Sequence, residues 1–88
     1  MSVKVTLHPF LNEGVETQIE VEATNTGDVI KEVVRRFPAA EKKLFQKPGQ
    51  LRGYVEIYVN GKTAYPGELT AALSSGDSVS VLVFLAGG

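Results

Sequence analysis

From Asn25 to Phe37 the chain reads NTGDVIKEVVRRF, and here its apolar residues recur at helical spacing. Val29, Ile30, Val33, Val34 and Phe37 share one face while Lys31, Glu32, Arg35 and Arg36 fill the other, which predicts an amphipathic helix. Thr26 is the expected N-cap. Asp28 lies in the first turn, where a carboxylate meets the positive helix end, and Arg35 and Arg36 lie in the last turn, where cations are favoured. Pro38 disfavours helical backbone at Phe37 and ends or kinks the helix there.

On either side of this stretch the period is two. Val3, Val5 and Leu7 alternate with Lys4 and Thr6, and after a break at Asn12, Glu13 and Gly14 the alternation resumes with Val15, Thr17, Ile19 and Val21 against Glu16, Gln18, Glu20 and Glu22. This predicts a hairpin of two half-buried strands. Downstream, Val55, Ile57 and Val59 alternate with Tyr54, Glu56 and Tyr58 and run into Asn60-Gly61, the dipeptide best suited to a tight hairpin turn. Val79, Val81 and Val83 form one face of the last strand, with Ser80, Leu82 and Phe84 on the other. Between these elements, residues 39 to 46 are read as a short helical stretch burying Leu44 and Phe45. Lys47, Pro48 and Gly49 are read as a loop, and 68 to 73 as a single helical turn. Runs of strands flanking one main helix imply an α+β fold, a mixed sheet of four to five strands packed on that helix, as in the β-grasp arrangement of ubiquitin.

Composition narrows the function. Eighty-eight residues make one domain against a prior of about 150 residues per domain. With 43% hydrophobic and 22% charged residues the chain has the make-up of a folded globular domain. A core this small leaves little depth for an enclosed catalytic cavity, which favours a carrier or binding role over an enzyme. Nine basic and ten acidic residues, with no block of like charge, argue against a nucleic-acid partner. The absence of cysteine removes disulfides, iron–sulfur clusters, thiolate metal sites and thiol nucleophiles. No apolar run approaches the ~20 residues of a membrane span, and Met1 to Leu7 alternates like a strand where a signal peptide would have an apolar core. A cytoplasmic location is the expectation.

Few side chains offer chemistry. His8 is the single histidine and is read as structural or solvated, beside Pro9 at a strand end. Glu16, Glu20 and Glu22 have the spacing of a solvated sheet surface rather than of a carboxylate site or a metal site. No glycine-rich phosphate loop is present, so the chain is expected to bind no ATP or other cofactor itself. Leu82 and Phe84 are either an exposed apolar patch suited to a partner or are covered by the loop around residues 46 to 53.

What remains is Leu85-Ala86-Gly87-Gly88, read as a flexible tail following a domain of residues 1 to 84. With glycine at about 7% of residues, two terminal glycines arise by chance only about 0.5% of the time. Extended at 3.3–3.6 Å per residue, four residues reach roughly 13 Å, far enough to enter another protein's active site. Gly87 and Gly88 lack Cβ atoms and fit a narrow channel, and Gly88 carries a free carboxylate.

The strand and turn Tyr54 to Gly61 (YVEIYVNG), the turn Gly76-Asp77-Ser78-Val79 and the terminal Ala86-Gly87-Gly88, in this order, resemble the ubiquitin-like sulfur-carrier family. That family includes MoaD, the small subunit of molybdopterin synthase, ThiS, and the carrier that supplies sulfur for cysteine synthesis. The resemblance implies that a ubiquitin-activating-type enzyme uses ATP to adenylate the Gly88 carboxylate. A sulfur donor then displaces AMP to leave a thiocarboxylate. An acceptor enzyme, such as the large subunit of molybdopterin synthase or a cysteine synthase, would take the sulfur, with Gly87, Ala86, Leu85, Phe84 and Leu82 as docking residues. The chain itself would be a co-substrate and not an enzyme. A protein modifier joined to lysines through Gly88 and a plain interaction module are the alternatives. Val83 and Phe84 stand where many molybdopterin and cysteine-pathway members have proline before the tail, and residues 38 to 53 exceed the corresponding stretch of the compact thiamine carriers.

Overall fold

The computed structural model describes residues 2 to 84. Strand β1 (Ser2–Leu7) buries Val3, Val5 and Leu7, as its alternation predicts. It is followed by an element absent from the expectation, a one-turn helix α1 (Pro9–Asn12). Pro9 at its start needs no amide partner, and His8 caps it by accepting the Phe10 N–H on Nδ1 at 3.0 Å. Glu13 and Gly14 then turn the chain with φ of 57° and 74°.

This detour corrects the second strand. β2 is Gln18–Glu22, not 15 to 22, and Val15 stands 71% exposed. The pairing Ser2↔Glu22 through Thr6↔Gln18 is consumed by the length of β1, and the Leu7 N–H donates to the Thr17 carbonyl at 2.8 Å. Residues 13 to 16 are left to close the loop, so Val15 has no strand opposite it.

Helix α2 (Thr26–Arg36) buries Val29, Ile30 and Val33 against the sheet. Its N-cap is Asn25, whose Oδ1 accepts the Asp28 N–H at 2.9 Å; Thr26 is already inside the helix. Thr26 is fully buried because it has another task. Its N–H donates to the Ala71 carbonyl at 2.9 Å and its Oγ1 accepts the Ala71 N–H at 3.1 Å, tying the helix to the segment before the last strand. The helix ends at Phe37, as Pro38 requires.

The short helix α3 (Ala40–Leu44) buries Ala40 and Leu44. Phe45, expected to be helical, instead begins β3 (Phe45–Lys47), which pairs with β4 (Gln50–Leu51) around Pro48 and Gly49 in a small separate ribbon. Then come β5 (Val55–Val59), β6 (Lys62–Thr63) and β7 (Ser78–Val83). Between β6 and β7 the expected helical turn is only a turn, followed by a bridge of Ala72 to Asn25 and the buried Leu73.

The main sheet has the order β2-β1-β7-β5-β6. β1 and β7 are parallel at its centre, and the other pairs are antiparallel. One face carries Val3, Val5, Val55, Ile57, Val79 and Val81 into the core with Val29 and Val33 of α2. Each such side chain contributes about 1.5–3 kcal/mol by leaving water. This is the α+β, β-grasp arrangement: a mixed five-stranded sheet packed on one main helix. Among the described residues no helix is long and apolar enough to cross a membrane.

Candidate functional site at the root of the terminal segment

The last strand is held on both sides where it leaves the sheet. On one side the His8 N–H donates to the Val81 carbonyl at 3.0 Å, so α1 begins against β7. On the other, β7 pairs with β5 from Val59↔Val79 to Val55↔Val83, and the Phe84 N–H adds one more bond, to the Tyr54 carbonyl at 2.8 Å.

Tyr54 is itself anchored. Its ring meets that of Phe10 edge-on, with centroids 6.0 Å apart and planes at 87°, a favourable quadrupole arrangement. Its hydroxyl donates to the Lys43 carbonyl at 2.7 Å. The Lys43 ammonium closes the cluster by donating to the Phe10 carbonyl at 2.9 Å while lying 5.1 Å from the centre of the Phe10 ring. Helices α1 and α3 therefore meet at the side chain that supports the exit of β7. Nothing in the alternation of Tyr54 with Glu56 and Tyr58 marked it for this role. The signal that was available is Pro9 after His8, which suits a helix start and would have placed Phe10 on a helix.

Leu82 lies on the face of the sheet away from α2, opposite Glu56, and is half-buried. Phe84 is 54% exposed, so it is open and not covered by the 46 to 53 segment. The rest of that face is polar: Lys4, Thr6, Ser78, Ser80, Gln18, Glu20 and Glu22. Beside Leu82, Tyr58 donates to Glu56 Oε1 at 2.9 Å; this bond and the carboxylate charge hold the phenol above its ordinary pKa. The apolar end of a polar sheet face thus coincides with the end of β7. Leu85, Ala86, Gly87 and Gly88, the other expected site residues, lie outside the described residues.

His8 is engaged in the α1 cap, in keeping with a structural role. Glu16 is in the loop before β2, and Glu20 and Glu22 point to the solvated face, where Glu20 accepts from the Ser2 hydroxyl at 2.8 Å. Among the described residues no group of three or more His, Cys, Asp or Glu side chains could hold a metal ion. An open groove of about 720 Å³ follows the outer edge of β5, between Arg52 and Gly53 at one end and Tyr65 to Glu68 at the other.

The chain is 30% identical over 93 residues to the sulfur carrier protein CysO of Mycobacterium tuberculosis (strain ATCC 25618 / H37Rv), with the whole of both chains covered. It is 32% identical over 74 residues to small archaeal modifier protein 1 of Haloferax volcanii, covering 84% of this chain and 80% of the relative. In three dimensions it is similar to the chain matched in the crystal structure of the Amycolatopsis orientalis BexX/CysO complex, with a TM-score of 0.82 and 26% identity, covering 98% of this chain and 99% of the other. A model of the ThiS family matches residues 6 to 88, a span that contains strands β2 to β7, helix α2 and the terminal glycines. On that match the chain belongs to the ThiS family.

Proposed function

We propose that the chain is a sulfur carrier whose reactive group is the carboxylate of Gly88. The observation that carries this is the extent of the family match, which runs through Gly88. Similarity along the whole chain to a protein named as a sulfur carrier supports it.

In this proposal a ubiquitin-activating-type enzyme supplies ATP. A carboxylate oxygen of Gly88 attacks the α-phosphorus, pyrophosphate leaves, and an acyl adenylate forms. A sulfide-level donor, hydrosulfide, then attacks the Gly88 carbonyl carbon; the bond from that carbon to the AMP oxygen breaks, AMP leaves, and loss of the sulfur-bound proton gives the thiocarboxylate. The partner supplies the hydrogen-bond donors that stabilise the developing oxyanion. This chain contributes recognition and reach. Leu82, Phe84 and Leu85 are the docking residues, and Ala86, Gly87 and Gly88 are the segment that enters the partner's channel. An acceptor enzyme of molybdopterin or cysteine biosynthesis then takes the sulfur.

The test is pyrophosphate exchange. ATP–pyrophosphate exchange by the cognate activating enzyme should depend on this chain and disappear when Gly88 is deleted. Exchange that persists with the deletion variant would refute activation at Gly88.

A second reading, a modifier joined to target lysines through Gly88, is favoured by the similarity to the archaeal modifier protein. It uses the same acyl adenylate. Gly-Gly remnants on lysines of cellular proteins would support it.

A further inference from the structure

Asn60 and Gly61 form the turn from β5 to β6, with φ of 50° and 82°. From this turn Asn60 reaches across to the start of β7. Its Oδ1 accepts the Ser78 N–H at 2.9 Å, its Nδ2 donates to Asp77 Oδ1 at 3.1 Å, and its own N–H donates to the Ser78 carbonyl at 2.8 Å. Asp77 is fixed in turn, because its Oδ2 accepts the Ser74 N–H at 2.7 Å. Both ends of the Asn60 carboxamide are therefore occupied. No atom crowds the neighbouring Gly61: a Cβ built there would meet nothing within 4 Å.

Asparagine followed by glycine is chemically labile because no side chain on the next residue hinders its backbone nitrogen. We propose that Asn60 is a deamidation site kept silent by its bonds to Asp77 and Ser78. The reaction has two steps. The Gly61 amide nitrogen attacks Asn60 Cγ, forming a C–N bond and losing its proton. The Cγ–Nδ2 bond breaks, ammonia departs, and a cyclic imide remains. Water then opens the imide at either carbonyl to leave aspartate or isoaspartate. The first step requires the carboxamide to swing back over its own backbone. In the folded protein that motion breaks the bond from Ser78 and the bond to Asp77 together, so reaction awaits local opening of the turn.

The product is self-disrupting. Asn60 Nδ2 is the donor that faces the Asp77 carboxylate, and deamidation replaces it with an anionic oxygen at the same place. Attraction becomes repulsion between like charges. In isoaspartate the backbone is also lengthened by one carbon, which breaks the register of Val59↔Lys62 across the turn. The hairpin is thus a chemical clock whose rate reports how often the Asn60–Asp77 contact opens.

The experiment follows the Asn60–Gly61 peptide by mass spectrometry during incubation of the full chain at mildly alkaline pH. Wild-type protein in native buffer should deamidate about tenfold or more slowly than the same protein in urea, as reaction through local opening requires. Asp77→Ala, folded by circular dichroism, should deamidate several-fold faster than native wild type. Asp77→Asn keeps a carbonyl oxygen for Ser74 and serves as the milder variant where Asp77→Ala does not fold. A native rate equal to the urea rate would overturn the proposal. So would a folded Asp77 variant that deamidates at the native wild-type rate.

Discussion

The backbone N–H of Phe84 donates to the carbonyl of Tyr54 at 2.8 Å, one step beyond the Val55↔Val83 pair of the sheet. Tyr54 is braced by Phe10 and by the Lys43 carbonyl, so this bond connects the exit of the last strand to two helices. The Phe84 side chain is meanwhile open to solvent. Backbone anchoring and side-chain exposure are thus separated at one residue.

Phe84→Asp tests that separation. Because the ring is 54% exposed, unfolding free energy should change by no more than about 0.5 kcal/mol. Affinity for the activating enzyme should fall several-fold or more, as for an interface anchor worth over about 1 kcal/mol. Calorimetric titration alongside urea denaturation distinguishes the outcomes. Simultaneous loss of the fold would place Phe84 in the core instead.

Tyr54→Phe removes one hydroxyl and leaves the carbonyl that receives Phe84. Loss of the bond to Lys43 should cost about 0.5–1.5 kcal/mol in urea denaturation. The Lys43 carbonyl is left needing water, which sets the upper end of that range. No change in stability would mean that the α3 contact contributes nothing.

Gly27→Ala pits helix propensity against packing. A Cβ at Gly27 would lie 2.6 Å from the Leu69 carbonyl oxygen and 3.1 Å from Asn25 Oδ1. Alanine gains about 1 kcal/mol of helix propensity, whereas overpacking costs about 1–3 kcal/mol. The 69 to 71 segment is held by the two bonds between Thr26 and Ala71, so the carbonyl cannot retreat freely and the clash should win. A melting temperature above wild type would contradict this.

Acid should weaken the turn before the last strand. Bonds from the Ser74 N–H and the Asn60 side chain hold the Asp77 carboxyl below its ordinary pKa. A carboxyl with a lower pKa folded than unfolded stabilises the fold above its unfolded pKa. That contribution disappears as pH falls through the folded value. Asp77→Ala should therefore flatten the loss of stability below the ordinary aspartate range, measured by urea denaturation across acidic buffers. An unchanged acid profile would show that Asp77 titrates alike in both states.

Much of the sheet was legible because alternation reports directly which face is buried. Val3, Val5, Ile57, Val79 and Val81 all entered the core as their spacing required. The helix was legible for the same reason, but its cap was not. Asn25 and Thr26 are both competent caps, and the choice was made by Ala71, a partner distant in sequence that draws Thr26 inside. Val15 fit the alternation yet fell outside the strand, since β1 is too short to pair with it. Phe45 fit a helical spacing yet joined a ribbon with Leu51. Leu82 and Phe84 lie away from the helix, as their side of the strand requires. The bracing by Phe10, Lys43 and Tyr54 was not legible, because it arises where three elements meet and has no period in the sequence.

Intact-mass measurement reads the state of the Gly88 carboxylate itself. The chain should be produced together with its activating enzyme and a sulfur source, with the enzyme's competence established by ATP–pyrophosphate exchange. A second species should appear, heavier by the replacement of one oxygen with sulfur, with fragmentation placing the change at Gly88. A mass that stays at that of the unmodified chain, with a demonstrably competent enzyme, would contradict sulfur loading at Gly88.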